Sequence, residues 1–198
     1  MLNPGPTHWV ALKRILRYLN KTKDFALMYD GGADGNLKIY CDADWAGDLD
    51  GRRSTTGWAV MMCGAATNWK CELQKIIALS STEAELVALS EAVKEAIWQR
   101  RLHDFLNPEP RCTNPHDPIV VHEDNQGAIA LAQHDRRHGR TKHIDVKYFY
   151  VRHLIASGIV KLTYVPTGDQ LADMLTKPLG RVKLRDLRAR LGLVKLEQ

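Results

Sequence analysis

The order in which the hydrophobic period changes along this chain limits its fold more than any other feature. Three short runs, Leu37 to Asp42, Gly57 to Cys63 and Thr67 to Glu72, are separated by Gly-rich or polar turns and read as strands. Ser80, Ser81 and Thr82, followed by acidic residues, then supply the capping chemistry of a long helix reaching about Leu106. Its apolar stripe is Leu86, Leu89, Val93, Ala96 and Ile97. Pro108 and Pro110 stop it. Beyond them Pro118 to His122 reads as a strand, Gln126 to Gln133 and His143 to Ser157 as helices, Ile159 to Val165 as a strand and Gln170 to Thr176 as a short helix. An amphipathic helix from about Thr7 to Leu19 precedes the series, and a helical tail near Val182 to Leu191 follows it. The order β-β-β-α-β-α-α-β-α implies an α/β fold: a mixed five-stranded sheet, an antiparallel three-strand meander plus parallel strands, with helices on both faces.

At 198 residues and 44% hydrophobic content there is enough chain for one ordinary core and a modest extension. No uninterrupted apolar run approaches the roughly 18 residues of a membrane span, and the N-terminus has no charged segment leading into an apolar stretch. The expectation is a soluble, monomeric, intracellular protein, cytoplasmic and not secreted, without a membrane partner. The four cysteines, Cys41, Cys63, Cys71 and Cys112, form no CxxC pair, which speaks against a structural zinc cage.

The 28 Lys and Arg residues outnumber the 23 Asp and Glu, for a net charge of +5. The basic residues gather at Lys13, Arg14 and Arg17, at Arg136, Arg137, Arg140 and Lys142, and at Arg181, Lys183, Arg185, Arg188 and Arg190. Each cluster can contact phosphates. The acids instead fall on short motifs at strand ends, and ligands of open α/β sheets bind outside the carboxyl ends of strands. Asp42 and Asp44 end the first strand, Asp124 follows the fourth, Glu83 and Glu85 open the long helix, and Asp173 lies in the short helix after the last strand. Taken singly, an acid at a helix start serves as a cap. Together they match another need: two hard divalent ions about 4 Å apart require roughly four carboxylates. Asp44 shares the strand face of Asp42, whereas Glu83 points about 160° away from Glu85 on a helix.

The motifs YCDADWAGD, RRSTTGW, ALSSTEAELVAL, EDNQGAIALA, RTKHIDVKYFYVR and DQLADMLTKPL resemble, in order and spacing, the ribonuclease H domain of copia-type retrotransposon polyproteins. PTHWVALKRILRYLNKT resembles the end of the reverse transcriptase connection region, and LRARLGLV the end of such a polyprotein. The resemblance implies three segments: residues 1–30 as that extension, 36–179 as the ribonuclease H domain and 180–198 as a basic helical tail. It implies a ribonuclease H-like fold and an endonuclease that hydrolyses the RNA strand of RNA–DNA hybrids during reverse transcription, leaving 5′-phosphates. Two Mg²⁺ ions, replaceable by Mn²⁺, would be held by the catalytic acids Asp42, Glu85, Asp124 and Asp173, with the AEL frame selecting Glu85 over Glu83 and Asp44 kept as a secondary candidate. Partners would be the hybrid and the polymerase region, in the cytoplasm or a virus-like particle.

Asn125, Gln126, Ser81, Arg136, Arg137, Arg140 and Lys142 are the expected hybrid-binding residues. Many relatives of the wider fold carry a mobile histidine before the final Asp. The loop PTGDQLA has none, which leaves His143 and Asp169 as weaker candidates for that role. The rival reading is a catalytically silent nucleic-acid-binding or scaffold module retained from a retrotransposon.

Overall fold

A computed structural model describes residues 4–33, 35–106, 117–133 and 142–196, without the side chains of 142–144. Five strands form the central sheet: β2 (Lys38–Asp44), β3 (Thr55–Met62), β4 (Ala65–Leu73), β5 (Ile119–Glu123) and β6 (Val160–Tyr164). Their spatial order is β4-β3-β2-β5-β6, with β2, β3 and β4 antiparallel and β2, β5 and β6 parallel. The expected mixed sheet is present. The β3–β4 hairpin closes on Cys63 and Gly64, both at positive φ (51° and 81°), the conformation that a two-residue turn needs to follow the twist of its strands.

The helices are α1 (Pro6–Lys21), α2 (Ser81–Leu106), α3 (Gln126–Gln133), α4 (Lys142–Ala156), α5 (Asp173–Thr176) and α6 (Arg181–Arg190). Alternation along β2 and β3 sorts them onto two faces. Ile39, Cys41, Trp58 and Val60 point into a core shared with Leu89, Ala92 and Val93 of α2 and with Tyr148 and Val151 of α4. Tyr40, Ala59 and Met61 point the other way, against Leu171, Leu175, Leu187 and Leu191. Buried alanines at 84 and 88 of α2 pack with Ala43 and bring that helix close to β2.

Three features depart from the sequence reading. The helix expected over 170–176 is only the single turn α5, preceded by a 3-10 turn at Thr167–Asp169, because Pro166 and Pro178 bracket the segment. A second, two-stranded sheet pairs β1 (Phe25–Leu27) with β7 (Leu193–Lys195), neither of which the hydrophobic pattern announces. The stretch after residue 180 thus ends in a strand, and its helix is docked: Leu187 is fully buried and the Arg188 guanidinium lies 3.9 Å from the Phe25 ring centre. By contrast α1 buries no residue, and its apolar stripe of Trp9, Val10, Ile15, Leu16 and Leu19 is exposed.

Leu187→Ala is therefore expected to cost about 2–5 kcal/mol through the cavity it leaves. Val182→Ala, at an 84% exposed position of the same helix, should stay within about 0.5 kcal/mol. Urea unfolding of both variants checks the docked position of α6, and equal small effects would contradict it.

Candidate metal centre

Three carboxylates from three separate elements meet at the ends of β2 and β5. Asp42 lies in β2 with no exposed surface, Glu85 in α2 at 5% exposure, and Asp124 just beyond β5, half-buried. One ligand oxygen of each lies within 4.8 Å of the others. Asp42 shares the strand face of Tyr40, toward α5, while Glu85 arrives from the α2 side. The carboxylates thus meet where the two layers converge at the sheet's end.

The helix start that carries Glu85 is set by its neighbours. Ser80 Oγ accepts the Glu83 N–H (3.2 Å), and the Glu83 carboxylate accepts the Leu79 N–H (2.7 Å), so Glu83 caps, as the sequence reading expected. Asn125 Oδ1 accepts the Ala128 N–H (2.9 Å) and starts α3 in the same way. A Cβ on Gly127 would lie 3.1 Å from Thr82 Oγ1, so the glycine lets α3 start close to the start of α2.

Asp173 opens α5 at 1% exposure and stands outside the three-acid group. Its carboxylate accepts hydrogen bonds from Lys177 Nζ (2.6 Å) and from Lys183 Nζ. Lys177 Nζ also donates to Asp42 Oδ1 (2.8 Å), and Thr176 Oγ1 donates to Asp42 Oδ2. One ammonium thus bridges the first and last of the four acids. α5 reaches Asp42 only because β3 carries a glycine opposite it. Gly57 pairs with Asp42, and a Cβ there would lie 2.6 Å from Thr176 Cγ2 and 2.9 Å from Leu175 Cβ.

The concentrated charge shows in the acids' protonation. Burial, then the charges of Glu123, Asp42 and Asp124, push the Glu85 carboxyl up to about 10. Burial raises Asp42 as well, against the hydrogen bonds from Lys177 and Thr176. Glu123, buried beside Asp124, is pushed up to about 8 by the same desolvation, although it accepts the Asn125 N–H (3.0 Å) and the Cys41 thiol lies 3.4 Å away. Glu85 Oε2 is buried and has no hydrogen-bond partner among the described residues. Hard carboxylate oxygens, mutually repelling and with one left unpaired, fit a divalent cation.

The remaining candidates fall elsewhere. Asp44 is half-buried and outside the three-acid group; its carboxylate folds toward Gly47, where a Cβ would come within 2.0 Å of it. Asp169 is exposed and paired with Arg190 (2.8 Å). Ser81 and Gln126 are exposed at the starts of α2 and α3, near the acids. Arg136, Arg137 and Arg140 lie outside the described residues, as do the side chains of Lys142 and His143. Of the C-terminal basic cluster, Lys183, Arg188 and Arg190 are engaged within the chain, on Asp173, Phe25 and Asp169. Thr176, Lys177, Glu123 and Gln170 were not anticipated. Gln170, fully buried, ties the loop before α5 to β2 by donating to the Cys41 carbonyl (2.9 Å). The four-residue spacing of Asp173 and Lys177 on one helical face was the available signal for the lysine.

The raised Glu85 carboxyl fixes the sign of a pH effect. The unfolded chain releases this proton near 4.5 and the folded chain holds it to about 10. Its contribution to stability is thus full below 4.5 and is lost as pH rises through that window. In the presence of a chelator the protein should melt at a lower temperature near pH 9 than near pH 6. Glu85→Gln should flatten that dependence, and an unchanged slope in the variant would show that the carboxyl is not its source.

No protein-family model matches the chain. It is 42% identical over 191 residues to the retrovirus-related Pol polyprotein from transposon TNT 1-94 of Nicotiana tabacum, covering 96% of this chain and 14% of the relative. It is 38% identical over 193 residues to the corresponding polyprotein of transposon RE2 of Arabidopsis thaliana, covering 98% of this chain and 13% of the relative. The chain thus spans about one seventh of the length of these relatives. Among solved structures, LC11-RNase H1, isolated from compost by a metagenomic approach, superposes with a TM-score of 0.52 at 15% identity, over 72% of this chain and 93% of that one. The antiparallel meander continued by parallel strands is therefore the ribonuclease H fold, and by sequence the chain's homologues are copia-type retrotransposon Pol polyproteins.

Proposed function

We propose that this chain is the ribonuclease H region of such a polyprotein and hydrolyses the RNA strand of RNA–DNA hybrids during reverse transcription. The observation that carries this reading is the convergence of ligand oxygens of Asp42, Glu85 and Asp124, from three elements, to within 4.8 Å of one another, with a buried Glu85 oxygen unpaired among the described residues. Asp42, Glu85 and Asp124 would hold divalent cations, Mg²⁺ or Mn²⁺, and Asp42 with Asp173 would share a second one. When bound, such ions neutralise the scissile phosphodiester and favour hydroxide as the attacking group. The protein's own part is placement. β2 and β5 fix two of the acids on a rigid sheet, and α2 brings Glu85 from the neighbouring layer. Gln170 and the Gly57 contact hold α5 against that edge.

Ser81 and Gln126, exposed at two helix starts beside the acids, are placed to meet a backbone phosphate, and Asn125 sits between Gln126 and Asp124. Discrimination of RNA from DNA would rest on contacts to 2′-hydroxyls. We read residues 1–30, with the exposed stripe of α1, as the end of the preceding polymerase region, residues 36–179 as the catalytic domain and 180–198 as its C-terminal addition. The setting would be the cytoplasm or a virus-like particle.

The test is incubation with a labelled RNA–DNA hybrid, single-stranded RNA and duplex DNA in Mg²⁺ or Mn²⁺. Cutting confined to the RNA of the hybrid, with 5′-phosphate products, is expected. Asp124→Asn should lower it by about 10²-fold or more, the scale of removing one charge-stabilising group from a catalytic site. Hybrid binding without cutting under any metal condition would favour a silent binding module instead.

A further inference from the structure

Lys177 is placed in a way that the hydrolytic reading does not require. Its ammonium lies 2.6 Å from Asp173 Oδ1 and 2.8 Å from Asp42 Oδ1, so it spans two nearly fully buried carboxylates from opposite ends of the chain. Lys183 takes the other Asp173 oxygen and also donates to the Thr167 carbonyl (3.1 Å). The neighbouring trio shares only Asp42 with this ammonium, and among the described residues Glu85 keeps an unpaired oxygen. We propose that Lys177 is a resident cation that competes with a divalent ion for Asp42 and Asp173, so that the two metal positions fill unequally. This rests on the reading that the acids hold metal.

The competition follows from the lone pairs. A divalent ion must approach a carboxylate oxygen to about 2.0–2.6 Å, using the same oxygens that the ammonium now holds. An ion at Asp42, Glu85 and Asp124 meets the Lys177 ammonium at one ligand, Asp42, whereas one shared by Asp42 and Asp173 meets it at both. An ion shared by Asp42 and Asp173 must displace Lys177. The sequence builds the obstacle locally. Lys177 follows Asp173 by one helical turn, and Pro178 holds the Lys177 backbone extended (φ −120°, ψ 144°), turning the chain out of α5. The exit is also built in: a third of the Lys177 side chain is solvent-accessible (32%), and its flexible stem can carry the ammonium away from both carboxylates.

The experiment is equilibrium Mn²⁺ binding to the whole chain, by calorimetry and by the paramagnetic signal of free Mn²⁺, for wild type, Lys177→Met and Lys177→Arg. Lys177→Met should bind the second Mn²⁺ about tenfold tighter or more, since a unit charge beside the site is gone. Lys177→Arg, which keeps the charge, should stay near wild type. With chelator present, Lys177→Met should melt below wild type, and Mn²⁺ should raise its melting temperature by more. If Lys177→Met does not fold without metal, Lys177→Gln replaces it in the same comparison. Equal or weaker second-ion binding in the charge-free variant, with hybrid cutting intact in wild type, would overturn the competition alone. Absence of Mn²⁺ binding from wild type and variant alike, together with absence of cutting, would overturn the metal reading as well.

Discussion

Like charges forced together at the end of a sheet govern this molecule. Asp42, Glu85, Asp124 and the fully buried Glu123 are drawn close by packing that has no use for their repulsion, and water is largely excluded from Asp42, Glu85 and Glu123. A fold tolerates this only if the charge is neutralised, by protons, by internal cations or by ions from solution. The chain itself supplies the first two. Glu85 and Glu123 hold their protons far above the ordinary carboxylate range, while Lys177 and Lys183 lie against Asp42 and Asp173. The opposing requirements of a stable fold and a charged site are met at the same sheet end.

Much of this was legible in the sequence, because both the sheet and the acids depend on local rules. The apolar runs and their turns specify β2 to β6. The Ser80–Glu83 spacing specifies where α2 begins, while the choice of Glu85 over Glu83 rests on the resemblance of the AEL frame. What stayed hidden depends on partners distant in the chain. β1 and β7 are three residues each, too short for a period, and they pair only because the fold brings positions 25–27 and 193–195 together. The inward commitment of Lys183, Arg188 and Arg190 has the same origin: in the sequence they are one basic cluster, and only the docking of Leu187 assigns each a partner within the chain.

The site shows the same division. Three of the four expected acids are brought together in one group, whereas Asp173 is joined to Asp42 through a lysine that the reading of acids alone overlooked. Strand ends and helix starts are written in short motifs. Which ammonium fills the space between two carboxylates depends on how a one-turn helix leans, and that is decided by β3.

Gly57 gives this dependence a mechanical form. The single turn α5 rests on the bare backbone of β3, and from that turn and the residue after it come Asp173, Thr176 and Lys177, every contact that reaches Asp42 from this side being among them. Such a seat works as a fulcrum. A methyl group added beneath it would tip an acid, a hydroxyl and an ammonium together, so this half of the centre is adjustable only as a unit, and its tuning belongs to the backbone of a neighbouring strand rather than to any of the groups that do the holding.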